Sequence, residues 1–411
     1  MRAARYPCGM FRSVCLIVFF LSAVAPAADA PQWRGPNRDG KFADTGLLQQ
    51  WPAAGPRLVW KAQGLGEGYS SFAVVGNRLY TQGQQGNTEF VIAIDTATGK
   101  QAWKTPTGQA LGNERGNGPR GTPTVDGDRL FAVAGDGTLV CLETATGKRV
   151  WVASFPADFK GREPRWGYSE SPLVEGASVI VTPGGPGASI VALDKASGEA
   201  IWKSQSDGAG YSSAVPFDSG STRGLAILTA GAAVGLNMKN GELLWRYPNV
   251  ANRVANIATP IVDRDYVFVS TDYGTGCALL KLTPQGGSVQ ASEVYFNKDM
   301  RNHYTTSVLV GDYLYGYSSG ILTAMEWITG KVAWRDRSVG KGNCTYADQR
   351  LYCMGEDGVV GLIEPTPKAY TEKSRFEIAH GSLPTWTPPV VANGRLYLRE
   401  QDNLYSYDIK R

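Results

Sequence analysis

The sequence predicts an all-β chain folded as an eight-bladed β-propeller. Each blade is a four-stranded antiparallel sheet, and a strand from the N-terminal side completes the last blade. Three observations carry this. Asp95, Gly99 and Trp103 stand four residues apart, and the same spacing recurs as Glu143, Gly147, Trp151, then Asp194, Gly198, Trp202, then Asn237, Gly241, Trp245, then Glu326, Gly330, Trp334. A repeat of this period is the signature of a radial or solenoid architecture. The 411 residues include 50 Gly, 19 Tyr and 11 Trp with few long helix-forming runs, which points to short strands and tight turns. The final unit has three strands, and its missing outer strand stands at the start of the ring as Leu58-Val59-Trp60.

Length alone, at about 150 residues per domain, suggests two or three domains, but repeat folds break that prior. Charged residues make up 19% and hydrophobic ones 43%, which excludes a disordered polyelectrolyte and a coiled coil. The formal charge of +4 includes Arg2, Arg5 and Arg12 of a leader that holds no acid, so residues 28–411 carry about +1. Nucleic-acid binding through bulk charge is not expected at that balance.

Residues 1–27 read as a signal peptide. The three Arg precede an apolar run from Val14 to Val24, and Ala25-Pro26-Ala27 gives the small–x–small cleavage pattern. The run is too short for a bilayer, which needs about 20 residues. Cys15 follows Arg12-Ser13-Val14, which is not a lipobox. No later stretch of the mature chain can span a membrane as a helix, so the expected location is periplasmic or secreted. Residues 28–57, rich in Pro and Gly, are expected to pack along the ring as an arm, and 58–411 to form the propeller.

Within one unit, TPTVDGD at 122–128 is a strand ending in a turn, RLFAVA at 129–134 a second strand, and TLVCLE at 138–143 a third. The acid or Asn of the template accepts hydrogen bonds from the turn that follows. The Gly takes a positive φ that a Cβ would penalise. The Trp lies on a short fourth strand, RVWVA at 149–153, where its ring covers the edge of the turn. Trp-to-Trp spacings from Trp60 to Trp245 run from 43 to 51 residues, and the 89 residues from Trp245 to Trp334 hold two units. The hidden unit begins at 259–270 and ends VYFN at 294–297, with Phe296 in the Trp place. Another degenerate unit follows Trp334 and ends near Phe376, and the last comprises 387–393, 395–400 and 403–409. Eight units of about 44 residues fill 58–411, and the rival count is seven with a stray strand.

Cys141, Cys277, Cys344 and Cys353 remain after the leader, with no CxxC or zinc spacing. If Asp348 and Gln349 are the two turn residues of a hairpin, Cys344 faces Cys353 at a non-hydrogen-bonded rung. A cross-strand disulfide and two free buried thiols are both open there. Gly116 to Gly121 matches GxGxxG, but a strand rather than a helix follows. Gly316 to Gly320 matches GxSxG, but it sits between two strands of a blade. With only His303 and His380 present, a His-rich metal site is excluded and a Ser–His–Asp triad has almost no candidates.

The links from each outer strand to the next inner strand reach the mouth of the central channel. They carry Tyr69; Arg120; Arg165, Trp166, Tyr168 and Glu170; Tyr211; Arg253 and Asn256; Arg301, Asn302, His303 and Tyr304; Lys341 and Asn343; and Trp386. Arg115 lies just upstream, and Glu67 and Glu170 are the nearby acids. Guanidinium forks suit carboxylates or phosphates, and aromatic faces suit rings or sugars. Two readings stand. These side chains satisfy loop carbonyls and seal blade junctions, or they form a funnel site for a ligand or peptide.

The blade pattern AxDxxTGKxxW resembles the pyrroloquinoline quinone (PQQ)-like repeat over nearly all of 58–411. That family includes quinoprotein alcohol dehydrogenases, BamB-type scaffolds and exported bacterial single-domain propellers. Hallmarks of the last group stand here as Gln32-Trp33-Arg34-Gly35-Pro36-Asn37-Arg38-Asp39-Gly40. The resemblance implies either a binding platform, for an envelope protein or an anionic small molecule, or a PQQ- and calcium-dependent oxidoreductase with its cofactor in the funnel. The dehydrogenases place a disulfide between adjacent cysteines over the quinone, and no Cys-Cys dipeptide occurs here. Their Asp, Glu and Asn calcium set cannot be traced in this sequence. The expectation is therefore the platform, with no confident cofactor.

Overall fold

The computed structural model describes residues 28–411 together with residues 1, 3 and 4, so all but those three residues of the expected signal peptide lie outside the described residues. The chain forms eight antiparallel sheets around an axis, spanning 73–109, 124–154, 173–204, 215–247, 261–297, 308–336, 342–377 and 390–408. We number these blades 1 to 8. The strand Arg57–Ala62 pairs with Asn403–Asp408 as the outer strand of blade 8, with Trp60 opposite Ser406. The ring therefore closes between the two ends of the propeller, which removes an open sheet edge. The described residues include one helix, the five-residue Phe155–Phe159, and no helix among them is long and apolar enough to cross a membrane.

The sequence template holds the blades to one another. Asp95 accepts hydrogen bonds from the backbone of Ala97 and Thr98, as the turn reading requires. The Trp, however, covers the turn of the following blade rather than its own. Trp103 Nε1 donates to the Thr144 carbonyl at 3.0 Å, and Trp151 does the same to Lys195. A Cβ on Gly147, where φ is +71°, would lie 2.5 Å from the Trp103 ring. Glycine is thus required twice there, for the left-handed backbone and for the approach of the ring. Trp60 makes the same contact from blade 8 to Thr96 of blade 1 at 2.9 Å, so one motif joins the last blade to the first.

Blades 5 and 7 lack a Trp at this position, and the structure shows two different substitutes. In blade 5 the residue facing the third strand just before the bulge is Tyr295, not Phe296. Tyr295 donates to the Trp327 carbonyl at 3.1 Å, whereas Phe296 is exposed. The bulge shifts register by one residue, and a one-residue shift exchanges the two faces of a strand. In blade 7 the position is Ser374, and the ring comes from Trp51 of the N-terminal segment. Trp51 sits 6.0 Å from Tyr352 at 48°, close to the 5.8 Å and 43° between Tyr80 and Trp103.

The first part of the N-terminal segment crosses the channel, and residues 47–55 then follow the ring along blades 8 and 7. Ala30 bridges to Val74 in blade 1, and the Pro31 carbonyl accepts from Val125 in blade 2. The strand Lys41–Phe42 adds in parallel to Gly342–Ala347 at the inner edge of blade 7. Asp44 accepts from Gly394 in blade 8. Between these points two buried arginines lock the plug. Arg38 donates to the carbonyls of Ser171 and Pro172, and Arg34 to those of Thr306 and Ser307. Both have positive φ, 62° for Arg34 and 58° for Arg38, in a Gly- and Asn-containing turn.

Asp348 and Gln349, both at positive φ, form the two-residue turn that sets Cys344 opposite Cys353. The structure holds both as buried, separate thiols.

Candidate functional site

Above the plug the channel opens into a cavity of about 530 Å³, within the range usual for small-molecule sites. Its floor is the Trp33 indole with Ser171, Ser213, Thr259 and Thr306, one hydroxyl from the inner edge of each of blades 3 to 6. These hydroxyls also staple neighbours: Thr122 N–H donates to Ser171, Ser171 N–H to Ser213, and Thr259 N–H to Thr306.

Aromatic rings form the wall. Tyr69 and Trp386 lie 4.7 Å apart, Trp386 and Tyr304 5.4 Å, Tyr304 and His303 5.7 Å, and His303 and Tyr273 5.2 Å. Trp166 and Tyr211 pair across another sector at 5.7 Å. Cations sit on these faces: Arg120 over Tyr69 at 5.3 Å, Arg165 over Trp166 at 5.1 Å, and Lys341 over Tyr304 at 5.0 Å. Arg115 also lines the cavity and is exposed. Two carboxylates face them. Glu114 pairs with Arg165 at 3.1 Å, and Glu356 pairs with Lys341 at 3.1 Å while accepting from Trp386 Nε1 at 2.7 Å. Four cations against two carboxylates leave the lining positive.

Burial lowers the Arg120 pKa, and its guanidinium donates to the carbonyls of Gly116 and Gly118. Burial, then the Lys341 charge, holds the His303 pKa below its ordinary value, which favours the neutral imidazole. Burial and the neighbouring Glu356 push the Tyr304 hydroxyl well above the usual phenol range, so it stays protonated.

Of the residues the sequence placed at the mouth, Tyr69, Arg120, Arg165, Trp166, Tyr211, His303, Lys341 and Trp386 meet in this one cavity. Tyr304 and Arg115 join them there, whereas the remaining link residues do not line it. Tyr168 is buried edge-on against Phe155 and donates to the Pro183 carbonyl. Glu170 is buried beside the plug and accepts from Thr182 N. Asn256 bonds the carbonyls of Thr229 and Ala230, Asn302 that of Tyr317, and Asn343 that of Trp386. Arg253 is exposed while its neighbour Val254 lines the cavity. Arg301 joins the second strand of blade 6 through its backbone, which bonds Ser318 and Ser319. A polar side chain on a link therefore serves either the channel or the link's own carbonyls, and the link position alone does not separate them.

Sequence reasoning missed Trp33, Tyr273 and Glu356. Tyr273 and Glu356 lie on hairpins between second and third strands, which open on the same face as the links. That geometric equivalence was a usable signal. The GxGxxG stretch runs through the mouth loop into the strand Thr124–Asp126, with no helix to receive a phosphate. The GxSxG stretch is a hairpin within blade 6.

The family described as "Outer membrane protein assembly factor BamB" matches residues 21–136 and 87–336. The chain belongs to this family. A BamB from Burkholderia pseudomallei (strain K96243) is 25% identical over 402 residues, covering 90% of this chain and 93% of the relative. The solved BamB of Moraxella catarrhalis superposes with a TM-score of 0.59 at 18% identity, over 86% of this chain and 98% of that one. The quinohemoprotein alcohol dehydrogenase of Comamonas testosteroni superposes with a TM-score of 0.65 at 13% identity, over 92% and 80%. At these identities the two structures show the shared PQQ-like propeller and nothing finer. The BamB match thus agrees with the repeat, while the funnel chemistry has to be read from this chain's own side chains.

Proposed function

We propose that this protein is an exported binding platform. The ring is a rigid frame, and the funnel holds an anionic group borne by an envelope protein or by a small molecule. One observation carries the reading. The channel is plugged at one end and open at the other, and the open end concentrates stacked rings and cations with a surplus of positive charge. Such a lining suits an anion attached to a flat or apolar body. Export rests on the leader pattern in residues 1–27, and membership of the BamB family supports a protein-binding scaffold in the cell envelope.

A calcium-dependent quinone oxidoreductase is not favoured by the residues present. Among the described residues no three of His, Cys, Asp and Glu converge as a metal site. The two cavity carboxylates are already engaged, Glu114 by Arg165 and Glu356 by Lys341 and Trp386. The donor set does not fit a hard cation with its oxygen ligands, and no step through that cofactor is derived.

Capture from envelope extracts tests the platform. With the wild type as bait, specific partners are retained, and Arg115→Ala/Arg165→Ala loses them while remaining folded. Equal capture by both baits would contradict a role for the funnel.

A further inference from the structure

The floor of the cavity contains four hydroxyl side chains that each accept one hydrogen bond and donate none among the described residues. Ser171, Ser213 and Thr306 each accept a backbone N–H, and Thr259 accepts the Trp33 indole N–H at 2.9 Å. A hydroxyl has one proton to donate besides the lone pairs it offers. None of these four protons has a protein acceptor among the described residues, although the side chains are at most 5% exposed. All four line the cavity, one from each of four consecutive blades. Buried donors without acceptors are costly, so this ring is built to meet an acceptor from above.

We infer that the cavity takes a small ring-bearing carboxylic acid, carboxylate end first. The acid head rests on the hydroxyls of Ser171, Ser213, Thr259 and Thr306, and the ring lies in the aromatic belt. The mouth cations complete the recognition. A carboxylate offers only acceptors, so it can take up all four free hydroxyl protons, and it is drawn by the surplus of Arg115, Arg120, Arg165 and Lys341 over Glu114 and Glu356. A neutral amide of the same shape turns an NH₂ group toward donors and carries no charge. This inference rests on the platform reading, and adds to it the ligand class, the orientation and the floor residues.

The test uses the protein of residues 28–411 with phenylacetate and its neutral isostere phenylacetamide, followed by ligand-observed NMR and calorimetry. The wild type is expected to bind phenylacetate and to bind phenylacetamide at least about tenfold more weakly. In Ser213→Ala/Thr259→Val that discrimination falls to about threefold or less. The wild-type comparison needs no variant, so the inference stays testable even if the floor variant does not fold. Equal binding of acid and amide by the wild type overturns it, as does full discrimination in a folded floor variant. Absence of phenylacetate binding also overturns it. If Arg115→Ala/Arg165→Ala loses envelope capture while the floor variant keeps both capture and acid–amide discrimination, the platform reading stands and the floor assignment falls.

Discussion

At the plugged end of the channel, Arg34 and Arg38 are buried, and their donors go mainly to backbone carbonyls from blades 3 and 6 and from the plug itself, with one bond from Arg38 to the Gln32 side chain. At the open end, Arg165 and Lys341 lie on ring faces with part of their donor capacity turned to solvent, and Arg115 is exposed. The same side-chain chemistry therefore has two uses on one axis. Burial drags the Arg38 pKa down to about 9 and that of Arg34 to about 10, the signature of charge held by structure at a desolvation cost. Arginine surrounded by carbonyls joins blades, whereas the cations of Arg115, Arg165 and Lys341 are available to a ligand. Arg120 lies between the two, stacked on Tyr69 but bonded to the carbonyls of Gly116 and Gly118.

The sharpest way to break this comparison is at the plug. Arg38→Ala orphans the carbonyls of Ser171 and Pro172 and is expected to cost about 3–5 kcal/mol in urea unfolding. Arg38→Lys should recover little, because an ammonium cannot fork to two carbonyls. Trp51→Ala should cost a comparable 3–5 kcal/mol or about that, matching Trp103→Ala, because Trp51 supplies the ring that blade 7 lacks. A small effect of Trp51→Ala beside a large one of Trp103→Ala would remove the equivalence.

Next comes pH. Burial raises Glu170, beside the plug, and Glu89, on the third strand of blade 1, to about 7. The folded protein keeps a proton on each up to about pH 7, while the unfolded chain releases it near the ordinary value of 4.5. The stability these two groups contribute is therefore fully present below that ordinary value and is lost as pH rises through 7, by about 3 kcal/mol for each group. Glu170→Gln should flatten its share of the slope in pH-dependent denaturation, and Glu114→Gln at the mouth, whose carboxyl is held below its ordinary value, should leave the slope near pH 7 unchanged. The smallest contrast lies within one strand. Tyr295→Phe should cost about 1 kcal/mol through the lost bond to Trp327, and Phe296→Ala no more than about 0.5 kcal/mol.

Much of the ring was legible because its contacts are local. The acid, Gly and Trp of each template are four residues apart, and their partner is the neighbouring blade, so repetition exposes them. Tyr295 was misplaced by one position because a bulge cannot be read from alternation. The plug was not legible: Arg34 meets Thr306 and Ser307 across about 270 positions, and nothing near Arg34 announces those carbonyls. About half of the candidate site could be read, since links between blades open on one face. The rest depended on which side chain of a link turns inward. Tyr168 and Asn302 turn into the wall, whereas Trp166 and His303 turn to the channel.

The most direct test of the distinction between the two ends is native mass spectrometry of the protein recovered from its own envelope, run beside thermal melting. The expected result is a bound mass on the wild type that is absent from Arg115→Ala/Arg165→Ala, with melting temperatures within about 2 °C of each other. A variant that keeps the bound mass, or one that melts many degrees lower, would show that the mouth cations serve the fold as those of the plug do.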